Sequence, residues 1–172
     1  MKFVSRDILT ATPRGRREVR ELLQGIFVAE LLCPSETLWI VSPWISDIPV
    51  IDDHAGRFRF LHNSGQTTVR LTQVIEALAK KGTRIKIVTR SDPTNEAFLR
   101  FARSWPSDGE NLDVTVGIVD TVHAKGLSGD QYSLSGSMNL TWHGTQKWDE
   151  LVHFRSGAGA SELRLKFEEA YG

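Results

Sequence analysis

Residues 122 to 140 read VHAKGLSGDQYSLSGSMNL, and the spacing of the polar residues and glycines in this stretch is the most informative pattern in the sequence. Side chains two residues apart on a β-strand point to the same face, so His123 and Lys125 would project together. Gly129 and Asp130 are typical turn residues. The pattern therefore predicts a β-hairpin over Val122 to Ser135.

Two more polar residues, Ser137 and Asn139, follow the predicted hairpin at the same spacing. They come where a strand would end and a short helix would begin, and backbone N–H groups at such a place can bind an anion. A histidine can act as a nucleophile, while an ammonium, a hydroxyl and an amide can bind phosphate oxygens. Together these side chains predict a phosphate site, although each alone has an ordinary alternative as a surface residue or a helix cap.

The joint spacing resembles the signature of the phospholipase D superfamily, His-x-Lys-x4-Asp followed by Gly-Ser-x-Asn. The matching positions, in order, are His123, Lys125, Asp130, Gly136, Ser137 and Asn139. Five residues separate Asp130 from Gly136, one fewer than is usual in the family, so we expect a shortened return strand in the hairpin. The likeness continues through Leu140-Thr141, Gly144 and Glu150.

The resemblance implies a role for each matching residue. His123 would attack phosphorus and form a phosphohistidine, and Glu150 would hold the other ring nitrogen of a histidine and favour its cationic form. Lys125 and Asn139 would bind the non-bridging oxygens, with Ser137 close by. Asp130 would support the site without acting directly in catalysis. For Glu150, a solvated carboxylate at the end of a strand is the alternative.

The chemistry of this family needs two histidines, one to attack and one to protonate the leaving oxygen. The other histidines are His54, His62, His143 and His153, and none has a lysine two positions later. A chain with one motif resembles the small nucleases of the superfamily, in which two copies build one site. We therefore expect a homodimer with both copies of His123 at its axis.

The rest of the chain alternates between patterns typical of strands and of helices. Predicted helices cover Val19 to Leu32, Val69 to Lys81, Asn95 to Trp105, a turn after Asn139, and Ser161 to Tyr171. Predicted strands cover Thr37 to Trp44, Arg84 to Thr89, Leu112 to Val119, and Glu150 to Phe154. The alternation predicts one α/β domain over residues 1 to 172, with a largely parallel mixed sheet flanked by helices. It looks like the α/β sandwich of the phospholipase D superfamily.

The segment from Ile45 to Gln66 would join a strand to a helix over an unusually long connection. It mixes apolar residues with polar and basic ones. We expect a lid or a subunit contact, with disorder as the alternative.

The composition limits the classes of protein. The 172 residues carry equal numbers of basic and acidic residues, 21 of each, so any basic surface would be local. The single cysteine, Cys33, cannot form an internal disulfide, and we expect it to be a small core residue. No apolar run has membrane-spanning length, which predicts a cytoplasmic protein without a membrane span. We expect no cofactor and no metal, because no cluster of carboxylates and histidines is evident in the sequence.

Three functions remain open. A nuclease that acts on DNA or RNA, with DNA favoured over RNA as the substrate, is supported by the small single-motif form and by the basic residues near Arg14 to Arg20 and at Arg57 and Arg59. A nucleic-acid-binding or scaffold protein with the same fold would retain the motif without turnover. A phospholipid phosphodiesterase would need an apolar surface, for which Ile45 to Ile51 is the candidate. The segment Trp39 to Asp47, together with the motif, also resembles phospholipase D-like proteins of bacterial DNA-modification and phage-defence clusters.

Overall fold

The computed structural model describes residues 4–61, 65–104 and 112–172. The strands are β1 (Val4–Leu9), β2 (Thr37–Val41), β3 (Pro49–Asp52), β4 (Thr68–Arg70), β5 (Arg84–Thr89), β6 (Val114–Ile118), β7 (Gly126–Ser128), β8 (Tyr132–Gly136) and β9 (Leu151–Ser156). The helices are α1 (Pro13–Leu32), α2 (Leu71–Lys80), α3 (Glu96–Ser104), α4 (Trp142–Gln146) and α5 (Ser161–Tyr171). The predicted helix end at Trp105 and residues 62–64 of the predicted long connection lie outside the described residues.

Seven strands form one sheet in the order β1-β9-β8-β7-β2-β5-β6. The pairs β2–β5 and β5–β6 are parallel, whereas every other neighbouring pair in this order is antiparallel. The predicted α/β class with a mixed sheet flanked by helices is thus confirmed, but the sheet is not largely parallel. The difference arises because β7, β8, β9 and β1 form an antiparallel half, in which β7 and β8 are a hairpin that needs no crossover helix.

The burial of the central strand β2 on both sides shows why helices cover both faces of the sheet. All five of its residues are buried. Leu38 and Ile40 belong to the larger core with residues of α1, α2 and α3. Trp39 and Val41 point to the opposite face, where Trp39 packs on Phe167 of α5 with ring centroids 5.9 Å apart. Alternation along one strand therefore places helices on both faces of the sheet.

Two elements at the start of the chain differ from the prediction. Helix α1 begins at Pro13, ahead of the predicted Val19, because Thr12 caps it by accepting a 3.1 Å hydrogen bond from Gly15 N–H. The first turns are rich in arginine and lack the apolar spacing that reveals a helix. Strand β1 was not predicted, since it is an edge strand in which only Ile8 is buried. Its partner is β9.

The described part of the segment from Ile45 to Gln66 is not loop throughout. It contains β3, which pairs with β4 as a small antiparallel ribbon, and β3 packs beside α1. Ile45, Ile48, Val50 and Ile51 are all buried in the core of the chain itself. The apolar residues that suggested a lid or a subunit contact therefore stabilise this domain, at about 1.5–3 kcal/mol for each fully buried side chain.

Two smaller expectations also changed. Cys33 is exposed, because it lies at the C-terminal cap of α1 and not inside the core. Helix α2 begins two residues later than expected, after the short strand β4, and Gly82 follows its end with a positive φ of 91°. Among the described helices, none is both long enough and apolar enough to cross a membrane.

Candidate active site

The motif residues other than Asp130 lie at one edge of the seven-stranded sheet. Strands β2, β5 and β6 are parallel, so their carboxyl ends share this edge. The register brings the other strands to the same place, because Val41 pairs with Gly126 and Gly136 pairs with Val152. The start of β7, the end of β8 and the start of β9 therefore meet the ends of the parallel strands, where ligand sites of open α/β sheets usually occur.

His123 and Lys125 lie in the segment just before β7 and not within the strand as predicted. The ammonium of Lys125 donates a 2.7 Å hydrogen bond to the main-chain carbonyl of His123, so the two residues are held together. The His123 side chain is exposed, and Lys125 is half-buried. Within the described chain, the imidazole of His123 makes no hydrogen bond, which leaves both ring nitrogens available.

Lys125 lies in an unusual electrostatic environment. Partial burial lowers the pKa of its ammonium, and the nearby Arg90 cation lowers that pKa further. The carboxylate of Glu150 opposes both effects and raises the pKa of Lys125. Lys125 is therefore close to both the Arg90 cation and the buried Glu150 carboxylate at this edge of the sheet.

Ser137 and Glu150 are joined directly. The Ser137 hydroxyl donates a hydrogen bond to Oε2 of Glu150 and accepts one of 3.0 Å from Leu151 N–H. Glu150 is only 6% exposed, so this bond satisfies a carboxylate that has lost most of its water. The preceding Gly136 has a φ of +139°, and a Cβ there would collide with the carbonyl of Leu151. Glycine is therefore needed to bring Ser137 next to Glu150.

Asn139 lies below the surface of the site and is 5% exposed. Its Oδ1 is 3.4 Å from the hydroxyl of Ser42, a residue that follows β2. The same hydroxyl is 2.7 Å from Trp44 O and accepts from Leu140 N–H at 3.2 Å. A hydroxyl has one proton, and the shorter distance assigns it to Trp44 O. Ser42 therefore connects the chain around Asn139 to the end of β2.

Asp130 is not brought to this edge. It lies in the turn between β7 and β8, at the opposite end of the hairpin from Lys125. Its carboxylate accepts hydrogen bonds from Glu36 N–H at 2.8 Å and from Arg164 at 2.9 Å. These bonds connect the hairpin turn to the start of β2 and to α5. Asp130 therefore stabilises the arrangement of the sheet, and it contacts neither His123 nor Lys125.

Arg90 belongs to the site and was not recognised in the sequence. It follows β5 directly and donates a 2.9 Å hydrogen bond to the carbonyl of Val122, the residue before His123. Its guanidinium carbon lies 4.8 Å from the ring centroid of Trp44. Its Nε is buried and makes no hydrogen bond in the part of the chain described. The rule that sites lie at the carboxyl ends of parallel strands was the signal that could have identified it.

Thr10 is a second residue that the sequence did not reveal. Its Oγ1 accepts a 2.6 Å hydrogen bond from Glu150 N–H and donates one of 2.9 Å to Trp148 O. Thr10 follows β1, the edge strand that the hydrophobic pattern missed, so no signal placed it near Glu150. Its two bonds fix the backbone that leads into β9.

The arrangement favours binding of a phosphate group. Lys125 and Arg90 supply positive charge, and an exposed imidazole lies on the same short segment. Among residues 4–61, 65–104 and 112–172, no three His, Cys, Asp or Glu side chains are grouped closely enough to hold a metal ion. The chemistry that the described residues can supply is nucleophilic attack by imidazole with cationic stabilisation of phosphate oxygens.

Comparisons with solved structures agree with this fold. NucT from Helicobacter pylori has a TM-score of 0.60 and 11% identity, over 98% of this chain and 95% of its own. Nuc from Salmonella typhimurium, a phospholipase D family member, has a TM-score of 0.59 and 13% identity, over 99% and 95%. Phosphatidylserine synthase from Haemophilus influenzae has a TM-score of 0.55 and 14% identity, over 97% of this chain and 38% of its own.

Comparison of sequences found no match, whereas comparison of structures did. No protein-family model matches the chain, and no curated protein is similar to it in sequence. The identities of the structural matches are low, so their agreement concerns the fold. The chain therefore has the α/β fold of the phospholipase D superfamily, and it matches NucT and Nuc over nearly their whole lengths.

Proposed function

We propose that this chain is a phosphodiester hydrolase of the phospholipase D superfamily that cleaves nucleic acid as a homodimer. The observation that carries the proposal concerns His123, whose exposed imidazole makes no hydrogen bond to any described residue, and Lys125, whose ammonium donates a hydrogen bond to the backbone of His123. A nucleophile and a cation on one short segment fit a phosphate better than they fit a structural role. The buried Glu150 and the second cation, Arg90, complete the set.

The proposed reaction has two steps. A ring nitrogen of one His123 attacks phosphorus, the P–N bond forms, and the P–O bond to the leaving group breaks. The His123 of the partner protomer gives its proton to the leaving oxygen. Water then attacks the phosphohistidine, the now neutral partner histidine accepts the proton of that water, and the P–N bond breaks. Lys125 and Arg90 stabilise the charge that grows on the non-bridging oxygens.

The dimer follows from this chemistry. Each chain supplies one histidine with a lysine two residues later, and two such histidines are needed for a complete cycle. The imidazole of His123 is exposed in the single chain, so a two-fold axis at the sheet edge can bring two copies together. In this arrangement Glu150, whose Oε1 forms no hydrogen bond in the described residues, can accept one from a histidine and favour its cationic form.

Nucleic acid is the substrate best supported by the surface. Arg14, Arg17 and Arg20 of α1 are exposed, and Arg20 contacts Gln146 of α4 at 2.8 Å. Helix α4 lies in the chain between Asn139 and Glu150, so Arg20 is next to a segment that leads into the site, and Arg14 and Arg17 lie on the same helix as Arg20. They offer positive charge to phosphates that flank the one being cleaved. We propose DNA as the preferred substrate.

The alternatives lose support in different ways. The apolar segment Ile45 to Ile51, on which a lipid substrate depended, is largely buried in the core. A binding protein without turnover was favoured by the short spacing between Asp130 and Gly136. In the structure, β7 and β8 pair without a bulge, and Gly129 N–H bonds to Tyr132 O at 3.1 Å. The hairpin absorbs the shorter spacing at a distance from His123, so this feature no longer favours inactivity.

The test is cleavage of labelled single- and double-stranded DNA and RNA by purified protein, with and without a chelator. We expect DNA cleavage that persists in chelator, because His123 and Lys125 supply the nucleophile and the positive charge. The His123→Asn protein should be inactive. Cleavage that disappears in chelator and returns with magnesium or zinc, or cleavage by His123→Asn at the wild-type rate, would overturn the proposal.

A further inference from the structure

Three aromatic rings are exposed between Asn139 and Glu150. Trp142 is 54% exposed, Trp148 is 51% exposed, and His143 lies between them on the surface. The His143 ring is 5.2 Å from Trp142, edge to face, and 5.3 Å from Trp148 at an interplanar angle of 31°. We call Trp142, His143 and Trp148 the aromatic platform. Tryptophans that serve the core are buried, as Trp39 is, so exposure of two rings in one cluster indicates a binding surface.

The backbone beneath the aromatic platform is held in place. Thr141 caps α4 by accepting a 3.1 Å hydrogen bond from Gly144 N–H. Trp148 N–H donates to His143 O at 2.9 Å, and Trp148 O accepts from Thr10 at 2.9 Å. The backbone that carries the rings is therefore fixed by hydrogen bonds, while about half of each tryptophan side chain is exposed to solvent. A rigid aromatic surface loses little conformational freedom when a flat ligand binds to it.

The aromatic platform is close to the proposed catalytic residues. Trp148 is two residues from Glu150, and Trp142 is three residues from Asn139, which limits the Cα separations to about 7 Å and about 11 Å. Thr10 bonds to the backbone of both Trp148 and Glu150. A ligand that covers the aromatic platform would therefore lie close to the segments that carry Asn139 and Glu150.

Three cations lie near these rings, one of them paired with an acidic residue. Lys147 is exposed between His143 and Trp148. Arg16 of α1 donates a 3.2 Å hydrogen bond to Lys147 O and lies 3.3 Å from Asp149, and Arg20 bonds to Gln146. Aromatic faces next to a row of cations match the two parts of a nucleotide, because the base stacks and the phosphate pairs with positive charge.

We propose that the aromatic platform stacks the unpaired bases of a single-stranded nucleic acid whose backbone enters the site. This inference rests on the proposed function and adds the strandedness of its substrate. Bases in a duplex are already stacked on one another, so their faces are closed to protein rings, whereas a single strand presents them. Flanking cations also favour this ligand over an apolar protein surface.

The experiment measures equilibrium binding by the His123→Asn protein, so that cleavage does not consume the ligand. The probes are a labelled oligothymidylate, an abasic strand of the same length, and a blunt duplex. This His123→Asn protein is the parent, and two further variants are made in it. One is Trp142→Ala/Trp148→Ala, and the other is Phe101→Ala, which removes a similarly exposed ring (52%) from α3. Light scattering measures the oligomeric state of each protein.

We expect the parent to bind oligothymidylate more tightly than the abasic strand, by at least about fivefold. Replacing both tryptophans should abolish that preference, leave duplex binding unchanged, and keep the dimer intact. Phe101→Ala should behave as the parent. A preference that survives the double replacement contradicts the proposal. A double variant that becomes monomeric also overturns it, since a second copy would then cover the aromatic platform.

The same experiment separates this inference from the proposed catalytic function. If the wild type cleaves no phosphodiester but the His123→Asn protein prefers base-containing strands through Trp142 and Trp148, the catalytic proposal fails and the stacking surface stands. If the wild type cleaves DNA but the preference is absent from the parent, the stacking proposal fails and the catalytic one stands.

Discussion

The Ser137 hydroxyl donates its single proton to Glu150, and it also accepts a hydrogen bond from Leu151 N–H. Ser137 therefore holds a buried carboxylate in place. It would bind a phosphate oxygen as a donor only by releasing Glu150. Ser137 therefore positions Glu150, and it lies behind the groups that face the substrate.

Replacing Ser137 with Ala should destabilise the protein by about 1–3 kcal/mol, because the buried carboxylate of Glu150 loses its partner. The measurement is urea unfolding, and Glu150→Gln provides the second arm of a double-mutant cycle. A coupling energy near zero between the two positions would show that the hydrogen bond contributes nothing to stability.

Replacing Lys125 with Met should lower kcat by about a hundred- to a thousandfold, since one donor to a developing oxyanion is lost. The unfolding midpoint should change little, because the ammonium contacts a single main-chain carbonyl. Lys166→Met, which removes a surface ammonium paired with Glu162 in α5, is the matched control and should keep wild-type activity. Equal rates for both variants would make Lys125 an ordinary surface residue.

The pKa of Lys125 should move in opposite directions in two variants. Burial and the Arg90 cation lower the pKa of this ammonium, so Arg90→Gln should raise it. The Glu150 carboxylate raises that pKa, so Glu150→Gln should lower it further. The measurement is the pH dependence of Lys125 acylation, followed by mass spectrometry of its peptide. Shifts of the same sign in both variants would contradict the electrostatic description of the site.

The sequence was most informative where residues act through their spacing, and least where they act through the fold. His123, Lys125, Ser137, Asn139 and Glu150 were identified from a linear pattern, and the structure brings them to one sheet edge. Arg90 and Thr10 belong to no such pattern. They reach that edge because β5 and β1 end there, and β1 is an edge strand without an alternating apolar face.

Asp130 is the opposite case, since it belongs to the motif but lies away from the site. Its place in the motif suggested proximity to the site, yet a β-hairpin puts residues at its turn as far as possible from its open end. The carboxylate instead connects Glu36 and Arg164. The structure of the segment Ile45 to Gln66 was predicted wrongly for a related reason. Strands β3 and β4 are each too short for their pairing to be recognised from the sequence of either one.

Activity should depend on two copies of His123. Equal amounts of wild-type and His123→Asn chains, allowed to exchange, should retain about one quarter of the wild-type activity per total protein, since random pairing leaves that fraction with two histidines. Independent monomers would retain half. Light scattering should show twice the mass of the chain, and a fully active monomer at micromolar concentration would remove the need for a dimer.

Trapping the covalent phosphohistidine would test the proposed mechanism at its first step. Wild-type protein is mixed with a substrate that carries a labelled scissile phosphate, under single-turnover conditions, and is quenched in alkaline denaturant because a P–N bond is labile in acid. Peptide mass spectrometry then locates the label. We expect label on the imidazole of His123 in the wild type, and neither label nor cleavage in His123→Asn. Cleavage by the wild type without label on His123, together with cleavage by His123→Asn, would contradict it.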